Sequence, residues 1–294
     1  MIPSRFALIL LTLVALSSCG GNEPKPNQVF LMPAPGIYEE GQIDPFIDND
    51  PISKGVQPGV LYATDRAVAE QDDKKYDYYT HERGGVLRLG EAYTRLGVDE
   101  GITWEEARKI TLLKNRTENY PLEVTGIDDF GVLQSTIPPF DGDTERSDAA
   151  SDRFREEIRE RMARSGSKHV YIYVHGYKVN FENPVLVASE LWHFLGYNGA
   201  FIAYSWPTKF SIWAYVADLE NAMNSARNLR TLILDIAEIP EVEKIHVIGY
   251  SAGTRLVSRT LADLGMYGYQ LSNCLLYTSP SPRDLLSHLV CRLL

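Results

Sequence analysis

One stretch near the end of the chain limits its possible architectures more than any other. Ile245 to Gly253 reads I-H-V-I-G-Y-S-A-G, an apolar run followed by Gly249-Tyr250-Ser251-Ala252-Gly253 and then by apolar residues at helical spacing, Leu256, Val257, Thr260, Leu261 and Leu264. A serine between two such glycines, at the turn from a buried strand into a helix, is a nucleophile elbow. The turn lifts the hydroxyl above the sheet, and a side chain at either glycine would collide with the neighbouring strand or helix. Ser251 is therefore the candidate nucleophile, and the strand before it must be buried on both faces.

The residues upstream supply the rest of such a sheet. Val170 to Val174 is predicted as a strand, Pro184 to Leu195 as a helix, Ala200 to Tyr204 as a strand, Tyr215 to Ile239 as a long helix, Lys244 to Ile248 as the elbow strand and Thr254 to Leu264 as the helix after it. Strands alternating with helices imply βαβ units and a mostly parallel sheet with helices on both faces. Sites in such sheets lie at the carboxyl ends of the strands, where Ser251 falls. Before this run the pattern is looser. Val60 to Thr64 and Val86 to Leu89 are predicted strands, Trp104 to Leu113 a helix capped by Thr103, and Leu122 to Val132 is ambiguous. Asp141 to Ser165 reads as a polar loop feeding a charged helix with Phe154, Ile158 and Met162 on one face. Asn115-Arg116-Thr117 matches a glycosylation sequon but reads as a solvated loop.

Two further pieces fall on the same edge. His175-Gly176-Tyr177 follows the first strand of the regular run, where an H-G-x turn can present a backbone amide to a developing oxyanion. The Tyr177 and Ala252 amides are the expected oxyanion donors, supported by Gly176, Gly249 and Gly253. His175 reads as a histidine bonded to local backbone rather than as the catalytic base, and Trp206, in Ser205-Trp206-Pro207, as packing or a pocket wall.

Taken together, V-H-G-Y-K-V-N-F at Val174 to Phe181, Y-S-W-P at Tyr204 to Pro207 and H-V-I-G-Y-S-A-G at His246 to Gly253 resemble a bacterial family of esterase/lipase-like α/β hydrolases catalogued as a domain of unknown function. L-Y-A-T-D-R at Leu61 to Arg66 is similar to that family's N-terminal strand. The resemblance covers roughly residues 60 to 273. It implies an α/β-hydrolase fold and serine-ester chemistry through an acyl-enzyme on Ser251, without fixing a substrate. The chain departs from the pattern in one respect. A serine hydrolase needs an acid and then a histidine after the serine, and up to Asn273 only Asp263 follows, inside a predicted helix. His246 reads as sheet packing. The alternative expectation is a hydrolase fold kept as a binding or envelope-structural module.

The two ends read differently from the body. Met1 to Ser18 has a basic residue, Arg5, and an apolar stretch from Phe6 to Leu16, which is the pattern of a secretory signal. Leu16-Ser17-Ser18-Cys19 resembles the bacterial lipobox, so Cys19 is the expected lipidation site. Gly20 after it suits the outer membrane, facing the periplasm. Residues 19–58, rich in proline, read as a flexible tether, and residues 59–273 as the hydrolase domain, with N-terminal strands and helices over 59–168 and the parallel core over 169–273. Cys274 to Asp284, C-L-L-Y-T-S-P-S-P-R-D, resembles one reading frame of a transposase-type sequencing adapter, and Leu289 to Leu294 the next stretch of it. Residues 274–294 are therefore expected to be artefactual, which would leave the α/β sheet incomplete at its C-terminus and without its acid and histidine loops, so that the 294-residue chain as written is expected to be inactive. Of the three cysteines only Cys19 then remains, so no disulfide is expected. A formal net charge of −10 argues against a nucleic-acid partner. The expected partners are a small ester substrate and, through the lipid, a membrane. No cofactor or metal is expected, and the sequence leaves the oligomeric state open.

Overall fold

The computed structural model describes residues 29–38, 44–46, 59–97, 102–113, 115–136, 148–209, 215–266 and 274–279. They contain eight strands and five α-helices: β1 (Val29–Phe30), β2 (Val60–Val68), β3 (Tyr79–Leu96), α1 (Trp104–Thr111), β4 (Pro121–Val132), α2 (Ala149–Ser165), β5 (His169–Val174), α3 (Glu182–Phe194), β6 (Ala200–Ser205), α4 (Tyr215–Ala237), β7 (Lys244–Tyr250), α5 (Gly253–Met266) and β8 (Cys274–Ser279). All strands join one sheet in the order β1-β4-β3-β2-β6-β5-β7-β8. The half from β2 to β8 is parallel, and β2, β3, β4 and β1 form an antiparallel wing. This is an α/β-hydrolase fold.

Alternation along the strands sends successive side chains to opposite faces. Leu61 and Ala63 join Val170, Ile172, Ile202 and Val247 beneath α2, α4 and α5, whose Phe154, Leu229, Ile233, Leu256 and Val257 complete that core. Val60 and Tyr62 face the other way, against Phe181, Val185, Ala188 and Trp192 of the α3 region. Each of the valine, leucine, isoleucine and phenylalanine side chains among them contributes roughly 1.5–3 kcal/mol. Helix α1 starts as the sequence implies. Thr103 and Glu106 close a reciprocal capping box, which satisfies two amides that would otherwise lack partners.

One expectation needs correction, and one open reading is resolved. The proline-rich segment 19–58 is not a free tether along its described parts. Val29–Phe30 pairs antiparallel with β4, and Leu31, Ala34 and Phe46 are buried. The Met32 amide donates to Glu190 of α3, and Arg116 donates to the Leu31 and Met32 carbonyls. Composition suggested a linker, but a few apolar anchors suffice to dock an extended arm once a groove exists. The ambiguous 122–132 stretch is a strand, β4.

Residues 1–28, with the signal segment and Cys19, lie outside the described residues. Strand β8 falls within the segment resembling adapter sequence and pairs parallel to β7, from Ile245 with Cys274 to Tyr250 with Ser279. A β-prone stretch needs only backbone hydrogen bonds to add to an open edge, so this pairing carries no information about its origin. No described helix is long and apolar enough to cross a membrane.

Candidate active site

The order of the parallel strands creates the site. From β5 the chain crosses to β6 on one side and then returns to β7 on the other. The connections after β5 and β7 therefore diverge, and a crevice opens between their carboxyl ends, where open α/β sheets place their ligands.

Ser251 sits on the β7 side of that crevice, between β7 and α5, with φ +50°. The left-handed region costs a non-glycine residue of order 1–3 kcal/mol, so it persists only where its surroundings over-determine it. They do so here. Thr254 donates to the Ser251 carbonyl from its amide at 3.0 Å and from its hydroxyl at 2.6 Å, and the Arg255 amide donates to the Ala252 carbonyl at 3.1 Å. The glycines are required by close approach. A Cβ on Gly249 would stand 3.1 Å from Thr254 Cα, and one on Gly253 would lie 2.4 Å from the His175 carbonyl oxygen. Ser251 is half-buried, and no described residue hydrogen-bonds its hydroxyl.

The loop after β5 forms the other wall. A Cβ on Gly176 would lie 3.2 Å from Ser251 Cβ and 3.4 Å from the Tyr250 ring, so the sequence-predicted pair of loops is brought together. Two residues on, Lys178 is also left-handed, with φ +64°. Tyr177 and Tyr250 are the exposed aromatics at this rim.

His175 points away from the chemistry. It is buried, with Nδ1 against the Gly176 carbonyl and Nε2 3.1 Å from the Trp206 carbonyl. Its ring stacks on Trp206, whose indole N–H donates to the His175 carbonyl at 2.8 Å. Burial holds this imidazole well below the usual histidine range, and the Arg66 charge adds to that, while the two carbonyls pull the other way.

The other described histidines are also committed elsewhere. His81 meets Arg66 Nη1 at 3.3 Å through Nδ1. Guanidinium cannot accept, so Nδ1 does, and the proton is on Nε2. Burial, with Arg66 second, pushes this ring down to about 4. His193 lies between the Tyr197 and Thr111 hydroxyls. His246 contacts His169 at 3.2 Å and stacks on Tyr171, as sheet packing. Asp263 pairs with Arg259 at 3.0 Å. No described histidine or carboxylate completes a triad with Ser251, and Asp284 and His288 lie outside the described residues. Nor do three or more His, Cys, Asp or Glu side chains among the described residues cluster as a metal would need.

The site has one component to which sequence reasoning assigned no role, the Asp65-Arg66 pair of the L-Y-A-T-D-R stretch, which lies in β2 just past its last pairing with β6. Both are buried. Asp65 accepts from Asn228 at 3.1 Å and from the Tyr204 hydroxyl at 3.4 Å, and burial pushes its carboxyl up against the pull of Ser225, Asn228 and the adjacent Arg66 charge. Arg66 spans several elements of the edge. An acid-base pair ending an apolar run is a visible signal, but solvated charges at a strand end look the same.

Residues 150–281 match the model of a family described as an alpha/beta hydrolase of unknown function (DUF900), in agreement with the resemblance carried by the motifs at 174–181, 204–207 and 246–253. No curated protein and no solved structure matches the chain.

Proposed function

We propose that the protein is a serine carboxylic-ester hydrolase that works through an acyl-enzyme on Ser251. The observation that carries this reading is the left-handed Ser251 at a strand-to-helix turn, facing Gly176 across the crevice at the topological switch. Strain held at that residue, at that edge, suits a nucleophile and has no evident structural use. In this mechanism Ser251 Oγ attacks the ester carbonyl and the Tyr177 and Ala252 amides hold the oxygen of the tetrahedral intermediate. The alcohol then leaves, and water releases the acid. The proton of Oγ needs a base. None of the described residues fills that role, so the reading requires an imidazole from outside them.

The absence of a described base next to Ser251 favours one rival, a hydrolase fold used for binding in the envelope. A fluorophosphonate probe separates the two. Covalent labelling that maps to Ser251 by mass spectrometry and is lost in Ser251→Ala supports the enzyme, and a protein that binds envelope components but never labels supports the rival.

We infer also that the chain is lipid-anchored through Cys19 and faces the periplasm from the outer membrane. The lipobox-like Leu16 to Cys19 supports this. Labelled palmitate should be incorporated in a Gram-negative host and should be lost in Cys19→Ala.

A further inference from the structure

We propose that Arg66 is the positioning residue for the oxyanion loop, holding Gly176 to Val179 in the one conformation that presents the Tyr177 amide to the crevice. This rests on the esterase reading for its catalytic consequence but not for its structural content.

Arg66 is 1% exposed. Burying a guanidinium is costly unless its donors are matched, and here they reach four places. Nε donates to the Ser205 hydroxyl at 3.0 Å, at the end of β6. Nη1 donates to the Thr80 carbonyl at 3.2 Å and faces His81 Nδ1, both on β3. Nη2 donates to the Val179 carbonyl at 3.0 Å, in the loop after β5. Thr208, in the loop after β6, acts on the same peptide. Its hydroxyl donates to the Val179 carbonyl at 2.9 Å and accepts from the Val179 amide at 3.2 Å. Thr64 donates to the Ser205 carbonyl at 2.7 Å, which ties β2 to β6 just beneath.

The loop needs such a clamp. Lys178, directly before Val179, is left-handed, and relaxing that peptide would rotate the chain on either side of it. Tyr177 is one residue further toward Gly176, so an error at Val179 propagates to the amide that would hold the oxyanion. An amide displaced by a fraction of an ångström still allows substrate to bind but no longer stabilises the transition state.

The test uses the complete gene product and two readouts. Arg66→Lys keeps the charge but cannot span Ser205, Thr80 and Val179 at once. Thr208→Val removes the second grip and leaves Arg66 intact, and Thr208→Ser restores it. Hydrogen exchange of the 176–181 segment should quicken in Arg66→Lys and Thr208→Val and return to the parent rate in Thr208→Ser. With a fluorophosphonate, the maximal inactivation rate should fall by ~10- to 100-fold in Arg66→Lys, while the probe concentration for half-maximal rate stays within about two-fold of the parent. A merely structural role would not produce that split.

Unchanged exchange in a folded Arg66→Lys protein, or equal losses in rate and probe affinity, would overturn the proposal. If Arg66→Lys does not fold, Arg66→Gln, whose single NH2 group cannot reach Ser205, Thr80 and Val179 together, takes its place under the same criteria. If the parent itself never labels, the esterase reading fails, and the exchange measurement alone decides whether Arg66 holds the loop.

Discussion

Gly176 and Ser251 face each other across the crevice so closely that a methyl group on the glycine would stand 3.2 Å from Ser251 Cβ. The contact joins the loop after β5 to the loop after β7. Replacing Gly176 by alanine moves the serine by a few tenths of an ångström without touching backbone hydrogen bonds. Fluorophosphonate labelling should therefore slow about ten-fold, with stability within about 1 kcal/mol of the parent. Gly253→Ala is the contrast. Its Cβ would meet the His175 and Val174 carbonyl oxygens at 2.4 and 2.5 Å, backbone atoms that cannot swing aside, and about 1–3 kcal/mol should be lost in urea unfolding. Gly176→Ala that labels at the parent rate would place the reacting group elsewhere.

The φ of +50° at Ser251 predicts an inversion of the usual glycine penalty. Both Ser251→Ala and Ser251→Gly should abolish labelling. The glycine variant, free of the Cβ clash in the left-handed region, should be about 1 kcal/mol more stable than the alanine variant. Urea midpoints of the two proteins check this, and equal midpoints would mean that the turn is not strained.

The parallel core was legible because strands buried on both faces read as apolar runs and because the elbow glycines are forced by contact. Thr103 and Glu106 likewise carry their capping box in the sequence. The wing was not legible for a physical reason. Strand β3 extends from Tyr79 to Leu96 through the exposed Glu82, Arg83 and Gly84, with register shifts against both neighbours, so its period of two is broken where only tertiary pairing continues it. The roles of Arg66 and Asp65 depend on partners from distant segments, the acceptors Val179 and Ser205 for Arg66 and the donors Tyr204 and Asn228 for Asp65. No local pattern encodes that.

Trp206 is fully buried and its indole N–H serves the His175 carbonyl at 2.8 Å. Trp206→Phe retains a ring to stack on His175 but leaves that carbonyl without its donor and opens space beside it. The loss should be about 2–4 kcal/mol, and labelling should slow as the turn before Gly176 loosens. Chemical unfolding followed by far-ultraviolet circular dichroism measures the first effect. A variant as stable as the parent would show that the carbonyl is served by another donor.

Glu190 gives the arm at 29–34 a pH dependence. Burial pushes its carboxyl up to about 7, against the Met32 amide and the Arg116 guanidinium, which both pull it down. Its ordinary value is 4.5, so between these limits the folded protein holds more proton than the unfolded chain. Stability from this group is therefore present in full below about pH 4.5, falls as pH rises through 7, and is lost above it, by on the order of 3 kcal/mol. Buried histidines act in the opposite sense. His81, His193 and His246 are each pushed by burial to about 4, which removes stability as pH drops below their unfolded values. The raw curve mixes both effects. Comparison with Glu190→Gln separates them, because glutamine keeps an oxygen acceptor for the Met32 amide and cannot ionise, while Arg116 keeps its bonds to the Leu31 and Met32 carbonyls. The variant should be the more stable protein at pH 8, with the advantage shrinking toward pH 5, and hydrogen exchange in the 29–34 arm should follow the same trend. Parallel parent and variant curves across that range would mean that Glu190 ionises at its ordinary pH and that the arm is held without it.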